Sequence, residues 1–472
     1  MIDGSNSLAA GRRLALGLCA AAVLAAPLPA LAQEQSLTII RDAEVEEILH
    51  RQSDPIFRAA GLEPKAVQII LIGDKELNAF TSSGGGAVIG LNTGMIIAAK
   101  TPGELAGVIA HETGHAAGGH IARSDVGTGG ALRTMLITMG LGVIAALAGA
   151  PDAGGALVAS SGYFATLDML GYTREQEGRA DQAAATYLDK AGQSGAGLVS
   201  FFNQFRYQEL FDNSKRYPYF RSHPLGSERI DALRLRVERL PNYKVADPPE
   251  ALEQHKLMVA KLKAFINYPQ QTLQDYPETD TSFAARYARA IAHYKATETE
   301  RSLKDIDALI ADYPANPYLQ ELKGQVLFET GRSADAEAPY RKALELKPDQ
   351  PLLRMALGQT LVAQNDKAKL DEAVLLLRRV AAEDRDNALV WRMLAQAYDA
   401  RGEAGLARLA TAEEKFTSGQ KTEARVFGMR AREQLPKNSP EWRRATDIVL
   451  VSEPTKDDLK MLSQEGSAPP AR

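Results

Sequence analysis

Cysteine is nearly absent from this chain. The one cysteine, Cys19, lies in an apolar N-terminal run, so the rest of the chain has no disulfide to rely on. An excess of basic charge is also missing. The formal net charge of -4 argues against nucleic acid as a partner. No apolar run reaches the roughly 20 residues of a comfortable membrane span. What is present is ample material for packed cores, with 45% hydrophobic residues, and a length that permits two or three domains.

The N-terminus reads as a secretory signal over residues 1–32. Arg12-Arg13 precede an apolar stretch from Leu14 to Leu28, and Ala30-Leu31-Ala32 fits small-x-small cleavage before Gln33. The arginine pair hints at twin-arginine export, but the rest of that signal is missing and a general secretory signal fits better. Leu18 before Cys19 does not suit lipidation. The expected location is therefore the periplasm.

Four of the seven histidines lie between His111 and His223. Residues 111–115 read His-Glu-Thr-Gly-His, the H-E-x-x-H pattern. At about 100° per residue, positions i and i+4 share a helical face. Two imidazoles can then grip one metal ion, with Glu112 turned toward the same site as a general base. The helix has a clear start: Thr101 as N-cap, Pro102 as first residue and Glu104 as third, followed by Leu105, Val108 and Ile109 as an apolar stripe. Upstream, 67–72 and 87–91 read as strands, with Gly84, Gly85 and Gly86 as a turn. A strand beside such a helix can hold substrate as an added strand.

A catalytic zinc usually takes three protein ligands and keeps one position open. The extended pattern H-E-x-x-H-x-x-G-x-x-H finds Gly118 but Ile121 at its last place. On a continuing helix, His120 points about 180° from His111 and about 140° from His115, which suits a structural role. Glu177 and Asp181, spaced i,i+4 at the start of a helix, offer a better source. One carboxylate can bind metal while the other accepts the N–H of a ligating histidine. Glu175 is a rival for the third ligand.

The segment from about Asn78 to Arg229 resembles the zinc peptidases that include the CAAX prenyl protease and the stress protease HtpX. The resemblance rests on Asn78-Ala79-Phe80, Asn92-Thr93-Gly94, Glu104-Leu105-Ala106, His111–His115, His120 and Glu177–Asp181. It implies His111, His115 and Glu177 as zinc ligands, one Zn2+ per chain, and Glu112 as the base, with Asp181 orienting a ligand histidine. His223, in Ser222-His223-Pro224-Leu225, reads either as a loop histidine before a helix capped by Ser227 or as a site residue. In family members with a C-terminal repeat domain, the corresponding histidine can take the fourth zinc position and hold the enzyme latent. His223 or Arg229 can alternatively stabilise a developing oxyanion.

The expected domains are a zinc metallopeptidase domain over 33–244, a helical repeat domain over 250–450, and a disordered tail over 451–472, with Pro241 to Pro249 as linker. The repeat shows in spacing. Pro314 and Pro348 lie 34 residues apart, as do Gly324 and Gly358, the period of a tetratricopeptide repeat. A unit over 317–350 is followed by one with about three extra residues near Asp366–Lys369, a third around Trp391 to Ala407, and an echo from Gly419 to Pro436. Residues 134–170 read as an apolar helical hairpin, either a lid over the cleft or a peripheral membrane contact.

The expected fold is thus an α+β zincin-type metallopeptidase domain, mostly helical with a small sheet, followed by an all-α tetratricopeptide solenoid. The resemblance implies endopeptidase action on unfolded or misassembled envelope proteins, with the barrel-assembly machinery as partner of the repeats. The rival class is a chaperone or scaffold whose zinc is structural or seldom used, and a third possibility is a membrane-embedded protease.

Overall fold

Val67–Ile72 is a β-branched, apolar run and forms the inner strand β2 of a four-stranded sheet. It pairs in parallel with β4 (Ala87–Asn92), from Val67 opposite Ala87 to Ile72 opposite Asn92. Two further strands escape the sequence pattern. β3 (Ala79–Ser83) is short and partly polar, and runs antiparallel to β4. β1 (Ile39–Ile40) has only two residues and closes the other side against β2. The order β1-β2-β4-β3 leaves β3 as an edge. In this computed structural model the described residues are 39–83, 87–118, 174–206 and 218–464. The signal segment with Cys19, His120, the 134–170 hairpin and residues 465–472 lie outside them. Among the described residues, no helix is long and apolar enough to cross a membrane.

Helices α1 (Ala43–Ala59), α2 (Thr93–Ala98), α3 (Pro102–Ala117), α4 (Arg174–Lys190), α5 (Ala196–Phe205), α6 (Pro218–Ser222) and α7 (Ser227–Val237) complete the N-terminal half. Their apolar faces share one core with the sheet, built around Leu49, Phe57, Leu71, Leu105, Ile109, Phe201 and Phe202. Helices α3 and α5 touch backbone to backbone. A Cβ on Gly197 would lie 2.2 Å from the Gly103 carbonyl oxygen, and one on Gly107 would lie 2.7 Å from the Leu198 Cα. Neither neighbour can yield without moving its helix. Gly197→Ala is therefore expected to destabilise the protein by about 3 kcal/mol, seen as an earlier urea unfolding midpoint.

Pro249 opens the helical half, in keeping with proline's preference for the first helical turn. Helices α8 (Pro249–Ile266), α9 (Pro269–Asp275), α10 (Phe283–Lys295) and α11 (Thr299–Asp312) lead into the pairs α12/α13 (Pro317–Glu329, Ser333–Leu346), α14/α15 (Pro351–Gln364, Lys367–Glu383), α16/α17 (Ala388–Ala400, Ala404–Thr417) and α18/α19 (Lys421–Gln434, Pro440–Val451). The repeat spacing has a packing reason. Gly324 faces the Tyr340 ring and Gly358 the Leu377 side chain, each within 2.9 Å of where a Cβ would be. The extra residues near Asp366 are absorbed by the αL turn at Asn365 and a lengthened α15, whose first N–H groups bond the Asp366 side chain.

One sequence expectation needs correction. The tail is not uniformly disordered: α20 (Lys456–Gln464) is helical, Leu462 is buried, and Asp458 pairs with Arg425. A run of Lys and Asp hides the few apolar residues that dock it. The 241–249 linker is also strapped down. Asp247 accepts from the Gly103 N–H at 3.2 Å, and the Tyr243 carbonyl accepts from Ser194. The halves meet through charge as well: buried Lys261 on α8 donates to Asp42 and Glu44 at the start of α1, 2.9 and 3.1 Å away.

Candidate metal centre

Helix α3 carries His111 and His115 because its start is well fixed. The Thr101 hydroxyl accepts the Glu104 N–H at 3.2 Å, and the Glu104 carboxylate accepts from the Lys100 N–H, Ser200 and Gln204, each at 2.7 Å. The reciprocal bond thus reaches one residue further back than the expected box. Gly114, inside the motif, has a second use. A Cβ there would lie 2.8 Å from the Ala180 carbonyl oxygen, so only glycine lets α4 approach the histidine turn.

That approach brings Glu177 to the imidazoles. Its Oε1 lies 3.2 Å from His115 Nε2 and its Oε2 lies 3.4 Å from His111 Nε2, while the two Nε2 atoms are 3.1 Å apart. His223 comes from the other side, at the end of α6, with Nδ1 2.9 Å from Glu177 Oε1 and 3.3 Å from His111 Nε2. One ligand atom from each of these four buried residues falls within 4.8 Å of all the others. Glu175, the rival, is exposed and pairs with Arg179.

A layer of charge surrounds these atoms. Asp181 Oδ1 lies 2.9 Å from His111 Nδ1, the arrangement that leaves Nε2 free to face a metal. Arg229 donates to both Asp181 oxygens and to the Pro224 carbonyl at 2.7 Å, forms an ion pair with Glu177 Oε2 at 2.6 Å, and its guanidinium lies over the Phe202 ring. Its donors are thus committed to carboxylates, which argues against the oxyanion role considered for it above. The sequence gives no signal for this clamp beyond the presence of an arginine six residues after His223.

The electrostatics follow from this layer. Burial opposes charge on His111, but the Asp181 and Glu177 contacts outweigh it and hold the imidazole up at about 9. Burial pushes His115 down to about 3, because Glu177 alone cannot offset it and the neighbouring imidazoles repel a second proton. Glu177 and Asp181 stay ionised despite burial, held well below the usual carboxylate range by the histidines and Arg229. Burial raises Glu112, against the pull of His223 and His111.

The donor set fits a divalent cation of the zinc type, with imidazole nitrogens and one carboxylate. A further observation agrees. Both Glu112 oxygens are buried and make no hydrogen bond among the described residues, a costly state for a carboxylate unless water or a cation shares the cavity. His223 Nε2 is 3.5 Å from one of them. Sequence reasoning missed Tyr219, one helical turn before His223. Its hydroxyl is buried with no hydrogen-bond partner among the described residues, and its ring lies 4.6 Å from that of His223.

Comparison with known proteins agrees with this geometry. Residues 40–237 match the sequence model of peptidase family M48, and 287–351 and 327–396 match models of tetratricopeptide repeats. The chain is 25% identical over 365 residues to the beta-barrel assembly-enhancing protease of Yersinia pestis, covering 75% of this chain and 72% of that one. It is 23% identical over 375 residues to a putative beta-barrel assembly-enhancing protease of Vibrio cholerae, covering 77% and 75%. With the Escherichia coli K12 protein of the same name the identity is 23% over 342 residues, covering 69% and 66%.

Proposed function

We propose that this chain, which carries a peptidase family M48 domain followed by tetratricopeptide repeats, is a periplasmic zinc endopeptidase that takes part in the quality control of outer-membrane β-barrel proteins. The observation that carries the chemistry is the close set of His111, His115, Glu177 and His223 beside an unbonded, buried Glu112. A structural zinc has no use for such a base. The names of the relatives support the β-barrel assignment, and the signal-like N-terminus supports the compartment.

His111, His115 and Glu177 would hold the metal, which when bound would polarise the scissile carbonyl and acidify a water. Glu112 takes the proton of the attacking water and returns it to the leaving amine. Burial raises its pKa, which favours taking up a proton, while His223 and His111 favour its ionised form. Asp181 fixes the His111 ring, and Arg229 fixes Asp181 and Glu177 together. The edge strand β3, packed beside α3, offers an extended substrate a place to pair. The repeats would present the substrate or the barrel-assembly machinery to this cleft.

A latent state is part of this reading, because His223 offers a ligand atom within 4.8 Å of those of His111, His115 and Glu177. The test is cleavage of casein by the mature chain before and after treatment with 1,10-phenanthroline, with zinc added back. Chelator-sensitive cleavage that zinc restores is the expected result. Cleavage indifferent to the chelator would remove the metal from the reaction. An absence of cleavage, even with His223 replaced, would leave a scaffold as the better description.

A further inference from the structure

We propose that the Tyr219 hydroxyl donates a hydrogen bond to the peptide carbonyl oxygen as that oxygen gains charge, which makes Tyr219 a catalytic residue of this site. The inference rests on the peptidase reading above. Tyr219 is fully buried, yet among the described residues its hydroxyl has no hydrogen-bond partner. An orphaned buried donor costs about 1–3 kcal/mol. It lies beside the Glu112 carboxylate, whose ionised form it favours, so it faces the space where water would be activated.

Among the described residues, the other two candidate donors are turned elsewhere. Arg229 is spent on Asp181, Glu177 and the Pro224 carbonyl. The His223 Nδ1 edge is turned to Glu177 and His111. Tyr219 is also tied to the substrate side. Its backbone N–H donates to the Leu77 carbonyl at 3.3 Å, just ahead of β3. A peptide added to the β3 edge and the Tyr219 hydroxyl therefore share one anchor. His223 lies past that anchor, its N–H donating to the Tyr219 carbonyl at 2.8 Å. In the reaction, the water oxygen bonds to the carbonyl carbon, the C=O pair moves to oxygen, and Glu112 takes the proton. Tyr219 keeps its own proton throughout and only directs it at the new charge.

The experiment compares the wild-type mature chain with Tyr219→Phe on a fluorogenic peptide and on a phosphonamidate peptide, whose tetrahedral P–O group mimics the charged oxygen. Zinc content and melting temperature are measured on both proteins. The expected result is a kcat lower by roughly 100-fold, an unchanged KM, phosphonamidate affinity reduced in step with kcat, about one zinc per chain, and an unchanged melting temperature. A kcat within about threefold of wild type, or full affinity for the phosphonamidate, overturns the assignment. So does a fall in melting temperature or zinc content that accounts for the lost activity. If neither wild type nor His223→Ala cleaves the peptide or binds the phosphonamidate, the peptidase reading itself fails and this inference with it. If wild type does both and only the Tyr219→Phe comparison is flat, this inference alone fails.

Discussion

Glu112→Gln is expected to abolish peptide cleavage and leave zinc bound at about one ion per chain. The two halves of this outcome come from different features. Glu112 lies outside the set of ligand atoms that converge within 4.8 Å, so metal content should not depend on its charge. Its carboxylate oxygens are buried without hydrogen bonds, so an amide of the same shape can occupy the place without breaking a network. Gln cannot accept the water's proton, and a positioned base contributes about 10²–10⁴-fold. Elemental analysis and casein cleavage on one preparation check both halves together. Undiminished cleavage removes Glu112 from the mechanism, and a loss of zinc would recast it as part of the metal cage.

The motif-bearing helix and the shared face of its two histidines were legible in the sequence because local rules govern them. Thr101 caps α3, Pro102 opens it, and the i,i+4 spacing puts His111 and His115 on one face. The carboxylates of α4 were legible as a pair because Glu177 and Asp181 share a face by the same period. Their division of labour, left open by spacing alone, appears only with packing: Glu177 meets both Nε2 atoms and Asp181 meets the Nδ1 of His111. Tyr219 and the Arg229 clamp were not legible as such. Each depends on contacts across 40 or more residues, and tyrosine before a His-Pro turn carries no pattern that predicts burial. The edge strand β3 escaped for another reason. Its Ala-Phe-Thr-Ser-Ser sequence is weakly apolar, and its pairing with β4 is settled by the tertiary fold. The repeats were legible from about Pro314 onward, where the 34-residue period begins. Helices α8 to α11 carry the same architecture without the period.

His223→Ala is expected to raise basal proteolysis by about tenfold or more, which corresponds to about 1.4 kcal/mol of relieved blockade per tenfold step. The side chain stands across both parts of the site. Its Nδ1 is 2.9 Å from Glu177 Oε1 and 3.3 Å from His111 Nε2, and its Nε2 is 3.5 Å from Glu112. Water and a scissile carbonyl need that same volume, and they cannot share it with an imidazole. Removing the ring leaves His111, His115 and Glu177, the number of protein ligands a catalytic zinc usually has, so zinc content should hold near one per chain. The loop that delivers His223 is pinned by the Arg229 bond to the Pro224 carbonyl, and the same guanidinium grips Glu177 and Asp181. Opening the loop therefore breaks a bond made by the residue that steadies the ligands, which gives the closed state its hold. The check is a rate of casein cleavage for wild type, His223→Ala and the His223→Ala/Glu112→Gln double variant. A rise in the single variant that vanishes in the double one fits a cap over a working base. A fall to zero in the single variant, with zinc retained, would make His223 a participant in the reaction and place latency elsewhere in the fold.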